Sequence, residues 1–262
     1  MFNCLPAKYI RTTLVLLPGL DGTEIFFGPL LRHLPSWIEP VVIVYPTSGN
    51  NDYKEDLLPI VMSKVAHLKS FVVLGWSFGG PLALMLASQC PAQVLGVILC
   101  GSFVTPPTPG LVPFRFAISG PLIAIVRATR RARLLIPGYA TTELRHAKAI
   151  TWRRVSSREL ASRSRTALGV DVRAQLRECR APLIYLVSTR DEVIPRTSLD
   201  EILRVAPHTR VAEIDGPHLA LFTNPVQSAE KIMNFLCELH KDLNIRHLSS
   251  TPTCHKLATK IF

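Results

Sequence analysis

Short apolar runs recur along the chain, and the spacing of apolar residues changes between them. Thr12–Leu17 (TTLVLL) and residues 41–45, 71–74, 94–99 and 182–187 are near-continuous stretches rich in Val, Ile and Leu. Runs of that length and composition predict strands buried on both faces. A last strand is expected at 210–214. Between the runs the pattern is helical. Residues 26–34 read as a short helix. After a turn cluster at 46–52, Asp52 stands as a cap before Leu57, Ile60, Val61, Val65 and Leu68, which fall on one helical face. Further helices are expected over 81–87 and 198–205, and from Asn224-Pro225, a cap followed by proline at the first helical position. Strand and helix in alternation imply right-handed crossovers and a mostly parallel sheet.

The alternation breaks at Ser102. Residues 105–110 (TPPTPG) are proline-rich, and 111–181 show helical stretches without a clear buried strand. Within them, 116–126 (FAISGPLIAIV) is apolar. It can line an acyl pocket or form the buried face of a helix, and both readings stand. The chain therefore divides into 1–104 with 181–240 as an α/β unit, 105–180 as a helical insertion, and 241–262 as a polar, unpatterned tail expected to be mobile and dispensable for chemistry.

The densest signal lies at 71–80, FVVLGWSFGG. An apolar strand runs into Gly75-Trp76-Ser77-Phe78-Gly79, and a helix-compatible run follows. Strand, tight turn and helix are the context in which G-x-S-x-G carries meaning. A serine on so sharp a turn takes a strained backbone. The positions two before and two after it are crowded by the crossing elements, which favours Gly75 and Gly79. The hydroxyl then projects beyond the strand's carboxyl end. The Phe78 amide and the helix dipole point to where an oxyanion would form.

Composition narrows the field. With 262 residues, 48% of them hydrophobic, the chain can bury a large core. No apolar run approaches the length of a membrane span. The N-terminal apolar run is too short for a secretory signal, so a cytoplasmic protein is expected. The six cysteines (4, 90, 100, 179, 237 and 254) show no metal-ligand or regular spacing and read as reduced, small hydrophobes. The net charge of +11 is uneven. Residues 115–180 hold fifteen Lys/Arg and four Asp/Glu, and the rest of the chain balances to zero. That excess is either a solvated arginine-rich surface or a docking face for an anionic partner. Arg130, Arg131, Arg133, Arg153 and Arg154 are the candidates for such a patch. No basic stripe interleaved with aromatics accompanies the charge, so a nucleic-acid partner is not expected.

The segment around Ser77 resembles the nucleophile elbow of the α/β-hydrolases, and the resemblance extends over residues 12–240. It implies an α/β-hydrolase fold with a reduced, mostly parallel sheet of about six strands, because only some ten residues precede the first strand. Helices cover both faces, and the 105–180 insertion corresponds to a helical cap over the site. In this family the loop after the first strand supplies a second oxyanion-hole amide. Here that loop is Pro18-Gly19-Leu20-Asp21-Gly22-Thr23, with Pro18 where the family often has His. By position the donor is Leu20, with Asp21 the next candidate. The family's acid commonly sits in a D-x-x-x-P segment, which Asp191 to Pro195 match; Glu192 is expected to point away. His218 combines a strand-end loop with the chain order Ser77, Asp191, His218 that marks the family.

The chemistry that follows is acyl transfer to water. Ser77 is the nucleophile, His218 the base and Asp191 the group that orients it. No metal or organic cofactor is needed. A carboxylic ester is the first expectation and a thioester on an acyl carrier or CoA the second, since the first loop and elbow are also similar to those of small thioesterases and a biotin-pathway methyl ester esterase. A non-catalytic binding protein on the same fold is the alternative of another class. The basic segment leaves an acidic carrier protein or an anionic membrane surface as candidate partners.

Overall fold

The computed structural model describes residues 11–47, 50–133 and 140–249. Six strands form one sheet: β1 (Thr12–Leu17), β2 (Ile38–Val42), β3 (Phe71–Trp76), β4 (Val94–Cys100), β5 (Leu183–Arg190) and β6 (Arg210–Pro217). They lie in the order β2-β1-β3-β4-β5-β6, and every neighbouring pair is parallel. This is the reduced parallel sheet expected. The order reverses at β1, so the crossovers that follow β1 and β3 leave on opposite faces. The crevice between their carboxyl ends is where ligands gather in such sheets.

The helices are α1 (Gly28–Leu31), α2 (Leu58–Val65), α3 (Gly79–Gln89), α4 (Gly120–Arg133), α5 (Thr142–Arg154), α6 (Ser157–Ala167), α7 (Arg173–Glu178), α8 (Arg196–Val205), α9 (Ala220–Thr223) and α10 (Pro225–Ser249). Each central strand feeds both faces. In β1, Val15 and Leu17 join the core under α2, α3, α7 and α8, while Leu14 and Leu16 join the one under α9 and α10. That two-sided burial is why the strand reads as an unbroken apolar run. Asp52 caps as expected, its carboxylate accepting from the Lys54 and Glu55 amides at 2.8 and 3.1 Å. The chain then opens into a π-turn over Tyr53–Leu57 before α2, where Pro59 lacks the N–H that a regular turn would use.

Three expectations shift. The second strand lies at Ile38–Val42, not 41–45. It is an edge strand in register with β1, and edge position tolerates Pro40. Tyr45 instead turns inward, its amide bonded to Gly22 O at 2.9 Å. The final helix does not stop at 240. It is docked through Phe235, Leu236 and Leu239, and it meets no Gly or Pro before Ser249, so the backbone propagates. Residues 250–262 lie outside the described residues, as do Cys4, Cys254 and His255. Lastly, the apolar run at 116–126 is not buried as a unit: Phe116 is 78% and Ile125 63% exposed, while Ile118 and Ile123 are partly buried. The segment between β4 and β5 is helical, with a 3-10 stretch at Pro109–Ala117 followed by α4 to α7, and no strand among its described residues.

The β3–α3 crossing leaves no space at its glycines. A Cβ on Gly75 would stand 2.5 Å from Gly79 O and 2.6 Å from Gly80 Cα. Gly75→Ala should therefore cost at least about 3 kcal/mol, read as the shift in urea midpoint at constant m-value; a loss near zero would mean the crossing can open.

Candidate active site

The turn after β3 holds Ser77 at φ +52, a left-handed conformation for a non-glycine residue. It persists because its neighbours fix it. The Ser77 amide donates to Cys100 O at 2.8 Å, and Ser102 Oγ donates to Ser77 O at 2.7 Å. Tyr185 OH donates to Ser102 O at 2.9 Å and accepts from the Ser102 amide at 2.9 Å. The turn after β4 thus braces the turn after β3. Nothing in the sequence pattern marks Ser102 or Tyr185, since the strand-end pairing that joins them is non-local.

β5 and β6 bring the other two expected residues together. Their register ends with Arg190 opposite Pro217, which sets the two following loops side by side. His218 Nε2 lies 3.0 Å from Ser77 Oγ, and His218 Nδ1 lies 2.8 Å from Asp191 Oδ2. An ionised Asp191 only accepts, so Nδ1 carries the proton and Nε2 accepts from the serine hydroxyl. Asp191 Oδ1 accepts from the Val193 and Ile194 amides, both at 2.9 Å. Burial opposes its charge, but the bond and charge of His218 and those two amides outweigh it and hold the carboxyl below its ordinary pKa. Glu192 is exposed, pointing away as expected. Gly101, at φ +48, packs beneath the pair; a Cβ there would meet Asp191 Oδ2 at 3.1 Å and His218 Nδ1 at 3.3 Å.

The two expected oxyanion amides, Phe78 and Leu20, have no backbone or side-chain acceptor among the described residues. The carbonyls that share their peptide planes are held, Ser77 O by Ser102 Oγ at 2.7 Å and Gly19 O by the Gly22 amide at 3.0 Å, and other carbonyls of the two turns are held as well. Tyr53 OH donates to Phe78 O at 2.7 Å, and Tyr45 OH donates to Pro18 O at 3.1 Å. Burial raises both phenol pKa values, so both remain donors. Arg163, from α6, donates through Nη1 to Leu20 O at 3.1 Å and Asp21 O at 2.7 Å. It donates through Nη2 to Pro46 O at 2.8 Å and through Nε to Asn51 Oδ1 at 3.0 Å. Its side chain is 1% exposed. Gly22, at φ +70, is glycine because a Cβ would stand 2.5 Å from that guanidinium. Asp21, the second candidate donor, carries a buried carboxyl that accepts from the Thr23 amide at 3.0 Å and from the Thr23 hydroxyl. Burial raises its pKa against those bonds.

Arg163 is the residue that sequence reasoning missed. It sits in the basic segment, where it reads as one more solvated charge, and only the packing of α6 against the first loop sends it inward. Among the patch candidates, Arg130, Arg131 and Arg153 are exposed, whereas Arg154 is bonded to Glu24. The Arg133 side chain lies outside the described residues. Among the described residues no group of His, Cys, Asp and Glu is placed to hold a metal.

A family model described as the alpha/beta hydrolase family matches residues 14–231. The chain belongs to the alpha/beta hydrolase family. It is 27% identical over 259 residues to polyketide synthase ThaQ of Burkholderia thailandensis, covering 86% of this chain but spanning only 12% of that protein. To the pimeloyl-[acyl-carrier protein] methyl ester esterase of Xanthomonas axonopodis pv. citri it is 24% identical over 247 residues, covering 86% of this chain and 95% of that one. Among solved structures, a thermophilic esterase from Thermogutta terrifontis superposes with a TM-score of 0.72 at 17% identity, covering 87% of this chain and 90% of the other. At that identity the likeness is one of fold.

Two outcomes follow from the geometry. Arg163→Met removes the guanidinium from three backbone carbonyls and from Asn51 Oδ1, so it should cost at least about 3 kcal/mol, measured by thermal unfolding; a cost within about 0.5 kcal/mol would show that the loop does not depend on it. Asp191, with its folded-state pKa lowered, adds stability that is present above its ordinary unfolded pKa of about 3.9 and is lost as pH falls through the folded value. The melting-temperature gap between wild type and Asp191→Asn should be wide at neutrality and close below about pH 4; a gap independent of pH would contradict an ionised Asp191.

Proposed function

We propose that the protein is a serine hydrolase that cleaves a carboxylic ester through an acyl-serine intermediate. The observation that carries this reading is the unbroken contact from Ser77 Oγ to His218 at 3.0 Å and on to Asp191 at 2.8 Å. A serine hydroxyl is a weak nucleophile at neutral pH. As Ser77 Oγ attacks the acyl carbon, its proton passes to His218 Nε2. Asp191 holds the imidazole in the accepting tautomer and stabilises the imidazolium that forms. The carbonyl oxygen becomes an oxyanion between the Phe78 and Leu20 amides. Collapse of the tetrahedral adduct expels the alcohol, which takes the proton from His218. Water then repeats the sequence on the acyl-serine, releasing the acid and restoring Ser77.

The oxyanion donors are already oriented at the moment of reaction, because Ser102 Oγ holds Ser77 O and the Gly22 amide holds Gly19 O, the carbonyls that share their peptide planes. Such preorganised donors are worth about 10²–10³ in rate each. The helical segment between β4 and β5 acts as a cap, and α6 belongs to it. A small acyl ester is the substrate this machinery suits. An acyl thioester on a carrier protein or CoA is the second reading, favoured by the similarity to a pimeloyl-[acyl-carrier protein] methyl ester esterase and to part of a polyketide synthase.

The test is labelling with a fluorophosphonate probe, followed by a screen of p-nitrophenyl esters of increasing chain length beside acyl-CoA substrates. Ser77→Ala should abolish labelling while the fold is kept. His218→Ala and Asp191→Asn should slow acylation by about three orders of magnitude or more. Labelling that survives Ser77→Ala would overturn Ser77 as the nucleophile, and a folded protein that neither labels nor turns over any ester or thioester would leave a binding protein on this fold.

A further inference from the structure

The apolar surface of this protein is not scattered. Of the ten large hydrophobic side chains exposed among the described residues, six lie between Leu111 and Val126. The 3-10 stretch Pro109–Ala117 buries none of its residues. Phe114 is 65% and Phe116 78% exposed there. α4 continues the surface. It turns Gly120, Ile123 and Arg127 inward, a stripe one residue wide, and leaves Leu122, Ile125 and Val126 outward. That is the reverse of an ordinary surface helix, whose apolar face meets the core. Arg127 fastens the stripe, donating to Trp152 O at 2.6 Å and Val155 O at 2.8 Å. Exposed apolar side chains concentrated in one short segment mark an interaction site.

The charge around the patch has one sign. From residue 101 to residue 142 the sequence has no Asp or Glu and five arginines. Arg130 stands exposed on α4 one turn beyond Val126, Arg131 is exposed at the end of the row formed by Ile123 and Arg127, and no carboxylate pairs with either among the described residues. The nearby acids are committed elsewhere: Glu143 to Arg32 at 2.7 Å, and Glu159, buried, to the cap of α6. Arg115 lies over the Phe116 ring at 4.6 Å.

We propose that this face docks the protein peripherally on an anionic lipid surface, with Phe114, Phe116, Leu122 and Ile125 entering the headgroup boundary, Arg130 meeting lipid phosphates and Arg131 adding to the positive field within a Debye length of the surface. Cations beside large apolar side chains are the combination an interfacial helix uses. Among the described residues no helix is long and apolar enough to cross a membrane, so the attachment is by one face. A second copy of the chain is a poor occupant, because a two-fold interface would set one arginine cluster against its twin. An acidic carrier would use the arginines but leave the exposed phenylalanines without a role.

The experiment is co-sedimentation of the full chain with vesicles of phosphatidylcholine alone and of phosphatidylcholine with phosphatidylglycerol. Binding should require phosphatidylglycerol and weaken with salt. Arg130→Gln with Arg131→Gln should weaken partitioning about 25-fold, roughly fivefold per charge. Phe116→Ser with Ile125→Ser should weaken it at least about tenfold. Both doubles should keep the wild-type melting temperature and hydrolyse a soluble short-chain ester as wild type does. Ser77→Ala should bind vesicles unchanged, which separates this proposal from the catalytic one. Absence of vesicle binding would overturn it, as would indifference of binding to the Phe116 and Ile125 changes. So would a dimer dispersed by the apolar double, or capture of an acidic acyl-carrier protein in place of vesicles.

Discussion

β3 and α3 cross so closely that Gly75 and Gly79 have no room for a side chain, and the geometry around the candidate site is built from that crossing. A Cβ at Gly79 would strike the carbonyl oxygens of Leu17 and Pro18. The same contact therefore sets the distance from the elbow to the first loop. A turn this tight can be made only with Ser77 at positive φ, which lifts its hydroxyl clear of the strand and leaves the Phe78 amide at the open end of a helix. The strain is held by bonds from the turn after β4, so the elbow depends on the sheet order that puts β4 beside β3.

Backbone amides can serve as donors only if their peptide planes are held. For the Phe78 and Leu20 amides this is done by Ser102 Oγ on Ser77 O and by the Gly22 amide on Gly19 O, while the Tyr53 and Tyr45 phenols and Arg163 hold the carbonyls around them. The guanidinium matches that duty because it presents several donors in a fixed plane, and here it spends them on four backbone or side-chain oxygens. Arg163 comes from α6, in the helical segment that interrupts the sheet. Beside apolar packing through Val170, Val172 and Leu176, that segment is thus joined to the core by a buried charge bonded to the loop that carries Leu20. Removing the segment would leave the loop's carbonyls without their donors.

The arginines of this segment divide by environment. Arg127, Arg163 and Arg165 are turned to backbone carbonyls and help fasten the helices to one another and to the sheet. Arg154 answers Glu24. Arg130 and Arg131 remain at the surface, on a helix that also exposes Leu122, Ile125 and Val126. The net charge of the segment therefore overstates the charge available to a partner, while the surface that is left is more apolar than the composition suggests.

Local signals carried most of the fold and the main residues of the site. Strands buried on both faces must be continuous apolar runs, and a strand–turn–helix elbow must have glycines flanking its serine, so both appear in the sequence itself. Asp191 and His218 were legible from strand-end loops together with the resemblance to the α/β-hydrolases, and the carboxyl ends of β3, β5 and β6 bring them to Ser77. The edge strand was misplaced because it is half exposed, carries Pro40 and takes its register only from β1. What the tertiary structure alone decided is the direction of long side chains. An arginine on a helix reads the same whether it enters the core, as Arg163 does, or faces water, as Arg131 does. The apolar run at 116–126 likewise reads the same whether packed or bare. Which outcome holds depends on what lies opposite in space, and sequence spacing does not encode that neighbour.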